Sequence, residues 1–254
     1  MWEGKTVSVI LPTYNERDSI RQCIQDFFDT GLVDEVVVVN NNAALGTNEE
    51  VMKTQARHVF EKRQGYGYAI QRGLAEATGD ILVICEPDGT FRPKDILRFL
   101  SYADEFDVVL GTRTTRELIG ERANMGFFLR WGNWAVAKMI MLLFNTTSLS
   151  DVGCTFRLLH RHVYEQIYPY FSVGTSHFGV EMMLIIFMRR FRTIEIGVNY
   201  LERVGESSVT GDLRKAVLLG LTMIAFTLRF YLLHAILRRD IPQHNGVHVT
   251  VKRT

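Results

Sequence analysis

The chain of 254 residues carries only three cysteines, Cys23, Cys85 and Cys154, with no CxxC pair among them. An odd, scattered set builds neither a disulfide framework nor a zinc site, and a reducing compartment is the expectation. Neither sign of charge prevails, because 29 Lys and Arg stand against 28 Asp and Glu. That balance gives no field for a polyanion, so no nucleic-acid partner is expected. Stretches rich in Pro, Ser and Gly are missing, as are repeats and low-complexity tracts, which favours one large domain over two joined by a linker. Residues 1–5 lead straight into a strand-like run and leave no space for a signal peptide. A long apolar run is missing too. Between residues 216 and 237 the uninterrupted part is 216–228, 13 residues, against the roughly 20 that a bilayer span requires. The 47% hydrophobic and 22% charged residues are apolar enough to bury a core and too apolar for a disordered chain.

The segments that are present alternate between strand and helix. Val7 to Pro12 is a β-branched run closed by proline, and Ile20, Cys23, Ile24, Phe27 and Phe28 then recur at helical spacing. Val36 to Val39 is continuously apolar, as in a parallel strand buried on both faces, and Asn40-Asn41-Asn42 follow it. A helix through Tyr68 to Thr78, a strand at Ile81 to Cys85, a helix from Pro93 to Tyr102 and a strand at Val108 to Leu110 continue the pattern. Four alternations predict an α/β fold with a doubly wound, mainly parallel sheet, whose ligands bind beyond the carboxyl ends of the strands. Past residue 120 aromatic and aliphatic helices take over, with Phe127, Trp131 and Trp134 on one face, and an edge strand is expected at Thr193 to Tyr200. The segment 216–237 is broken by Arg229 and His234 and flanked by Arg214-Lys215 and Arg238-Arg239. It reads as an interfacial helix, giving a sheet domain over 1–212 and an apolar helix with a polar tail over 213–254.

The strand tips carry the chemistry. Glu86-Pro87-Asp88 places two carboxylates at one strand end, which suits Mg²⁺ or Mn²⁺ completed by phosphate oxygens, and equally suits a helix-capping loop. Gln64-Gly65-Tyr66-Gly67 precedes a helix, and its small residues allow either a tight turn or the approach of a nucleotide. The third glycine of a dinucleotide fingerprint is replaced by Ile70, so a dehydrogenase is excluded. Arg113, Arg130, Arg157 and Arg203 lie in polar settings, and converging guanidinium groups suit a departing diphosphate or an anionic acceptor. Glu181, embedded in an apolar helix, must be functional or paired. Asn145-Thr146-Thr147 matches a glycosylation sequon and is read as chance, since no secretory signal precedes it.

Taken together, these segments resemble family 2 glycosyltransferases of the GT-A (Rossmann-like) fold, and among them the dolichol-phosphate-mannose-synthase-like branch that loads sugars onto polyprenyl phosphates. The matching runs are Val9 to Glu16, Gly65 to Gly67 with Gly73, Ala77 to Asp80, Glu86 to Asp88, Gly111 to Arg113, Gly132-Asn133, Asp151 to Arg157, Ile194 to Ile196 and Arg203 to Ser207. The resemblance implies that Pro12, Thr13, Tyr14 and Glu16 line the base and ribose site, with Asn41 at the base edge and Gly65 and Gly67 beside the nucleotide. It implies that Glu86 and Asp88 hold Mg²⁺ or Mn²⁺, that Arg113, Arg130 and Arg203 meet phosphates, and that Asp151 stands near the sugar. Asn40-Asn41-Asn42 departs from the family's usual acids, Glu86 from its usual Asp, and Ser208 from its usual Lys.

The function implied is inverting transfer from a nucleotide-diphosphate sugar to a polyprenyl phosphate, by an enzyme attached peripherally or monotopically to the cytoplasmic face of a membrane. A homo-oligomer is compatible with the sequence. The rival readings are a family 2 enzyme with a hydroxyl acceptor, for which Glu181 or Asp151 would serve as base, and a non-catalytic sugar-nucleotide-binding protein. A nucleotidyltransferase is disfavoured because Pro12-Thr13-Tyr14-Asn15 replaces a glycine-rich loop.

Overall fold

The β-branched run at the start of the chain forms β1 (Val7–Thr13), and it is buried along its whole length because strands flank both its edges and a core covers each face of the sheet. In the computed structural model, which describes residues 1–120, 123, 127–146, 148–205, 213–236 and 240–241, seven strands form one sheet among those residues. The others are β2 (Glu35–Asn40), β3 (Arg57–Phe60), β4 (Ile81–Ile84), β5 (Val108–Thr112), β6 (Arg157–His160) and β7 (Thr193–Gly197). Their order is β3-β2-β1-β4-β6-β5-β7. The helices are α1 (Arg17–Asp29), α2 (Thr47–Met52), α3 (Tyr66–Glu76), α4 (Ile96–Leu100), α5 (Phe127–Phe144), α6 (Arg161–Ile167), α7 (Phe178–Met188) and α8 (Leu213–Phe230).

The sequence pattern anticipates β1, α1, β2, α3, β4, β5 and the edge strand β7. It misses α2, β3 and β6. The two short strands escape because each holds only two apolar residues beside charged or titratable ones, whereas the equally short β4 is apolar throughout. β6 changes the sheet from parallel to mixed. It runs antiparallel to both neighbours, pairing Ile84 with Arg157 and Leu110 with Arg157. Reversal brings the first residue of β6, and the loop that precedes it, to the carboxyl ends of β4 and β5.

Two cores cover the two faces of the sheet, as the period of two demands. Ile10, Val37, Val39, Leu82, Ile84, Leu110 and Leu159 face α3, α5, α6 and α7. Val9, Leu11, Val36, Val38, Val83, Val109 and Leu158 face α1 and α4. Along α8, Met223, Thr227 and Phe230 are buried at helical spacing, whereas Val217, Leu218, Leu221 and Leu228 are exposed. This helix is apolar on both faces and the protein covers only one. Ala216–Ile236 forms a helical stretch of 21 residues with mean hydropathy 1.9, long and apolar enough by length and composition to cross a membrane. The sequence expectation of a segment too short to span rested on the break at Arg229, which does not interrupt the helix.

Candidate active site

The loop after β4 is fixed before any ligand arrives. Asp88 Oδ1 accepts hydrogen bonds from the backbone N–H and hydroxyl of Thr90 at 2.9 and 2.5 Å, and Ser19 Oγ donates to Pro87 O at 2.6 Å. Gly89 turns the chain with φ +80°, in the left-handed region that favours glycine. Opposite this loop runs the segment after β7, held by Leu201 N on Thr90 O and Val204 N on Asp88 O, both 2.8 Å. The side chain between those anchors is Arg203, whose Nη2 lies 3.3 Å from Glu86 Oε2 and also donates to Asp88 Oδ2. A cation therefore already stands between the two carboxylates. Burial, together with the charge of Asp88, pushes the Glu86 carboxyl up to about 7 even though Arg203 opposes the shift. Glu16 is raised as well, chiefly by burial, with Arg203 opposing and Asp88 adding.

Arg113, at the tip of β5, meets Asp151 in a bidentate contact through one edge of its guanidinium, Nε to Oδ2 at 2.7 Å and Nη2 to Oδ1 at 2.9 Å. Burial raises the Asp151 carboxyl, but Arg113 outweighs it and holds the group below the usual carboxylate range. Glu195 of β7 steadies the same loop, accepting from Ser150 N at 3.0 Å and Asp151 N at 3.1 Å. Gly153 is needed for close approach, because a Cβ there would lie 2.8 Å from Arg113 Nη2 and 2.9 Å from Asn133 Oδ1.

A cavity of about 470 Å³ connects these groups. At its polar end stand Glu86, Asp88, Arg113, Tyr200 and Arg203, and it continues between α5, α7 and α8 past Val136, Met182, Leu219, Met223 and Ile224. Glu86 and Asp88 are the only carboxylates among the described residues lining it. No group of three or more His, Cys, Asp or Glu side chains suited to a metal occurs among the described residues. The oxygen pair, with Arg203 standing in for a cation, fits a hard ion that takes one or two carboxylates and completes its shell elsewhere.

The structure thus brings Glu86, Asp88, Arg113 and Arg203 together at one end of the cavity. Asp151 lies behind Arg113 with its side chain fully buried, so it positions the arginine and does not reach the cavity. Arg130 is exposed on α5, which presents Gly132, Asn133 and Val136 to the cavity instead. Pro12 and Thr13 are buried within β1, with Thr13 Oγ1 donating to Val39 O at 3.1 Å. Tyr14 is exposed at the tip of that strand, and Glu16 Oε2 accepts from Tyr14 N and Asn15 N at 2.6 and 2.8 Å. Asn41 turns inward, donating to Glu61 O at 2.9 Å and Arg63 O at 2.8 Å and accepting from Gly65 N at 2.8 Å. It shapes the loop before α3. Gly65 and Gly67 serve packing against the segment before α7, since a Cβ on Gly67 would lie 2.7 Å from both Val173 O and Phe178 Cβ. Glu181 accepts from Ser172 N and Val173 N at distances from 2.9 to 3.1 Å and lies off the cavity. Trp131 and Trp134 are exposed with ring centres 5.4 Å apart, whereas the side chains of Phe127 and Lys215 and residues 206–212 and 237–239 lie outside the described residues, as does Thr147 of the sequon. Sequence reading gave no role to Tyr66, Tyr200 or Glu195, although Tyr66 and Glu195 fall inside runs that carry the family resemblance.

An acid pair opposed by arginines at the carboxyl ends of a wound sheet defines an α/β enzyme that handles phosphorylated ligands. The chain belongs to glycosyl transferase family 2, whose model matches residues 8–168, and it is a glycosyltransferase with a nucleotide-sugar donor. Its GT-A fold is shared with glucosyl-3-phosphoglycerate synthase from Mycobacterium tuberculosis. The crystal structure of that enzyme with Mn²⁺, uridine diphosphate and phosphoglyceric acid has TM-score 0.69 and 18% identity, covering 90% of this chain and 79% of the other. The form with Mg²⁺ and uridine diphosphate has TM-score 0.67 and 18% identity, covering 89% and 79%. A further mycobacterial protein matches with TM-score 0.68 and 21% identity, covering 89% and 75%.

Proposed function

We propose that the chain transfers a sugar, with inversion, from a nucleotide-diphosphate sugar to a polyprenyl phosphate at a membrane surface. The observation that carries this reading is the cavity, which leads from the acid pair and its arginines into an apolar passage bounded by α8. A phosphate monoester with a second pKa near 6 is already ionised at neutral pH and needs no general base. That suits a cavity lined by no carboxylate beyond Glu86 and Asp88 among the described residues.

On this reading Glu86 and Asp88 would hold Mg²⁺ or Mn²⁺, which would supply positive charge against the departing diphosphate. Arg203, anchored through the backbone of Leu201 and Val204, stands close enough to the acid pair that it would be a donor to a phosphate oxygen placed there. Arg113, kept in place by Asp151, adds a second fixed cation. The exposed apolar face of α8, together with Trp131 and Trp134, lies in the membrane interface and brings the acceptor to the cavity mouth. The cytoplasmic face is the side on which attachment is proposed.

A hydroxyl acceptor is the second reading. It is favoured by the phosphoglyceric acid bound in a solved relative of the fold, and as regards the acceptor the comparisons lean to it over a lipid. Transfer assays with several sugar nucleotides, offering polyprenyl phosphate, free polyprenol and phosphoglyceric acid in parallel, separate the two. The lipid reading expects product only with polyprenyl phosphate, and product only with a hydroxyl acceptor replaces it. Loss of transfer in EDTA and in Asp88→Asn is expected on either reading, and full activity in both removes the metal.

A further inference from the structure

We propose that Arg157 anchors an oxyanion subsite in the wall of the cavity and takes the phosphate of the acceptor. This rests on the reading that the cavity receives a phosphorylated acceptor.

Arg157 opens β6 and pairs across the sheet with Ile84 and Leu110, so the antiparallel strand delivers it to the edge where ligands bind. Two residues before Leu159, it shares the sheet face of α5, α7 and α8. The side chain is 4% exposed and borders the cavity. Its contacts are all neutral: Nε donates to Cys154 O at 2.9 Å, Nη1 to Gly179 O at 2.6 Å and Nη2 to Val152 O at 3.1 Å. Guanidinium has five N–H bonds and keeps its proton in proteins, so two donors and a full charge are left over. Among the described residues no carboxylate pairs with it.

Arg113 and Arg203, which also line the cavity, differ. Arg113 has Asp151, and Arg203 has Glu86 and Asp88. An incoming phosphate must compete with a paired carboxylate at either of those, whereas among the described residues none forms an ion pair with Arg157, Asp151 acting on it only at longer range. A buried charge without a counter-ion is costly, and a ligand oxyanion removes that cost. Burial indeed pushes the Arg157 guanidinium below its ordinary value.

Two neighbours support the assignment. Gly179 lies in the first turn of α7, and a Cβ there would approach Nη2 to 3.0 Å and Nη1 to 3.1 Å, so glycine leaves room for the guanidinium. The N-terminal end of α7 contributes Ser176 and Phe178 to the cavity wall, with the positive end of the helix dipole beside them. Tyr66, which also lines the cavity, is raised by burial and by Glu86 and drawn down by Arg157.

The test is calorimetric binding to the full chain, without donor, of farnesyl phosphate, farnesol and inorganic phosphate. Uridine diphosphate with Mn²⁺ is titrated separately. Arg157→Gln is expected to weaken farnesyl phosphate and inorganic phosphate by ten- to hundredfold and to leave farnesol and the nucleotide unchanged. Wild-type affinity for farnesyl phosphate should also rise as pH passes about 6, where the second proton leaves, and the variant should lose that rise, which a merely structural arginine would not cause. Unchanged phosphate binding overturns the proposal, and loss confined to uridine diphosphate moves Arg157 to the donor. If the wild type binds inorganic phosphate through Arg157 but neither farnesyl compound, the subsite stands and the lipid reading falls. Should Arg157→Gln fail to fold, Gly179→Ala crowds the same guanidinium and is expected to weaken phosphate binding at least tenfold, with no change counting against the subsite.

Discussion

Asp151 accepts two hydrogen bonds from one edge of the Arg113 guanidinium and, through Oδ1, the Gly153 N–H at 2.9 Å, so a carboxylate outside the cavity fixes the direction of a cation inside it. Asp151→Asn leaves the arginine buried without its counter-charge. Breaking such a pair from one side costs about 3 to 5 kcal/mol, and urea unfolding should show a loss of that order alongside slower transfer. An unchanged unfolding midpoint would show that Asp151 does not hold the arginine.

Arg203 and a divalent ion compete for one pair of carboxylates. Arg203→Gln is therefore expected to bind Mn²⁺ more tightly, by about tenfold or roughly 1.4 kcal/mol, while transferring sugar more slowly. Calorimetric Mn²⁺ titration of the two proteins reads this directly, and weaker metal binding in the variant contradicts it.

Acid should destabilise the fold through His160. This side chain is buried, its Nε2 meets Ala103 O at 2.7 Å, and burial lowers its pKa below the ordinary value. In the unfolded chain the imidazole binds a proton more readily, so stability is complete above about pH 6.5 and falls as pH drops through that value toward the folded pKa. His160→Gln should flatten melting temperature against pH between about 7 and 5. A parallel profile would place the acid sensitivity elsewhere.

Leu218 and Leu221 are 67% and 58% exposed, so replacing both with glutamate should leave the melting temperature unchanged. An apolar side chain buried from water contributes about 1.5 to 3 kcal/mol, and cosedimentation with anionic vesicles should fall by at least about tenfold. Equal cosedimentation would mean that this face of α8 does not meet lipid.

Gly67→Ala forces a Cβ against Val173 O and Phe178 Cβ. Overpacking of this kind costs about 1 to 3 kcal/mol, measurable by thermal or urea unfolding. Nucleotide affinity in the surviving fold is expected to change little, because the glycine serves packing, and a selective loss of nucleotide binding would return it to the donor site.

The acid pair, the tips of β1 and β5 and the run of strands before them are legible in the chain because each depends on a few consecutive residues. Glu86 and Asp88 leave one strand end together whatever surrounds them. Asn41 is a different case. Its place at a strand tip was read from the sequence, but its amide turns to Glu61, Arg63 and Gly65. Arg130 fails for a similar reason, since its helix is foreseen but the face presented to the cavity is fixed by the packing of Val136, Ala137 and Ile140.

By itself, the sequence determined the wound α/β sheet and the carboxylate pair at a strand tip, since periodicity and strand-tip chemistry are local properties, while the family was legible only as a resemblance carried by the order of its motifs. Only the tertiary structure decided that β6 runs backwards and carries Arg157 to that edge, that Asp151 belongs to Arg113 across 38 residues, and that Arg203 reaches Glu86 across 117. Those pairings follow from sheet order and helix packing, which bring distant side chains to a common point, and no spacing within one segment records where that point lies.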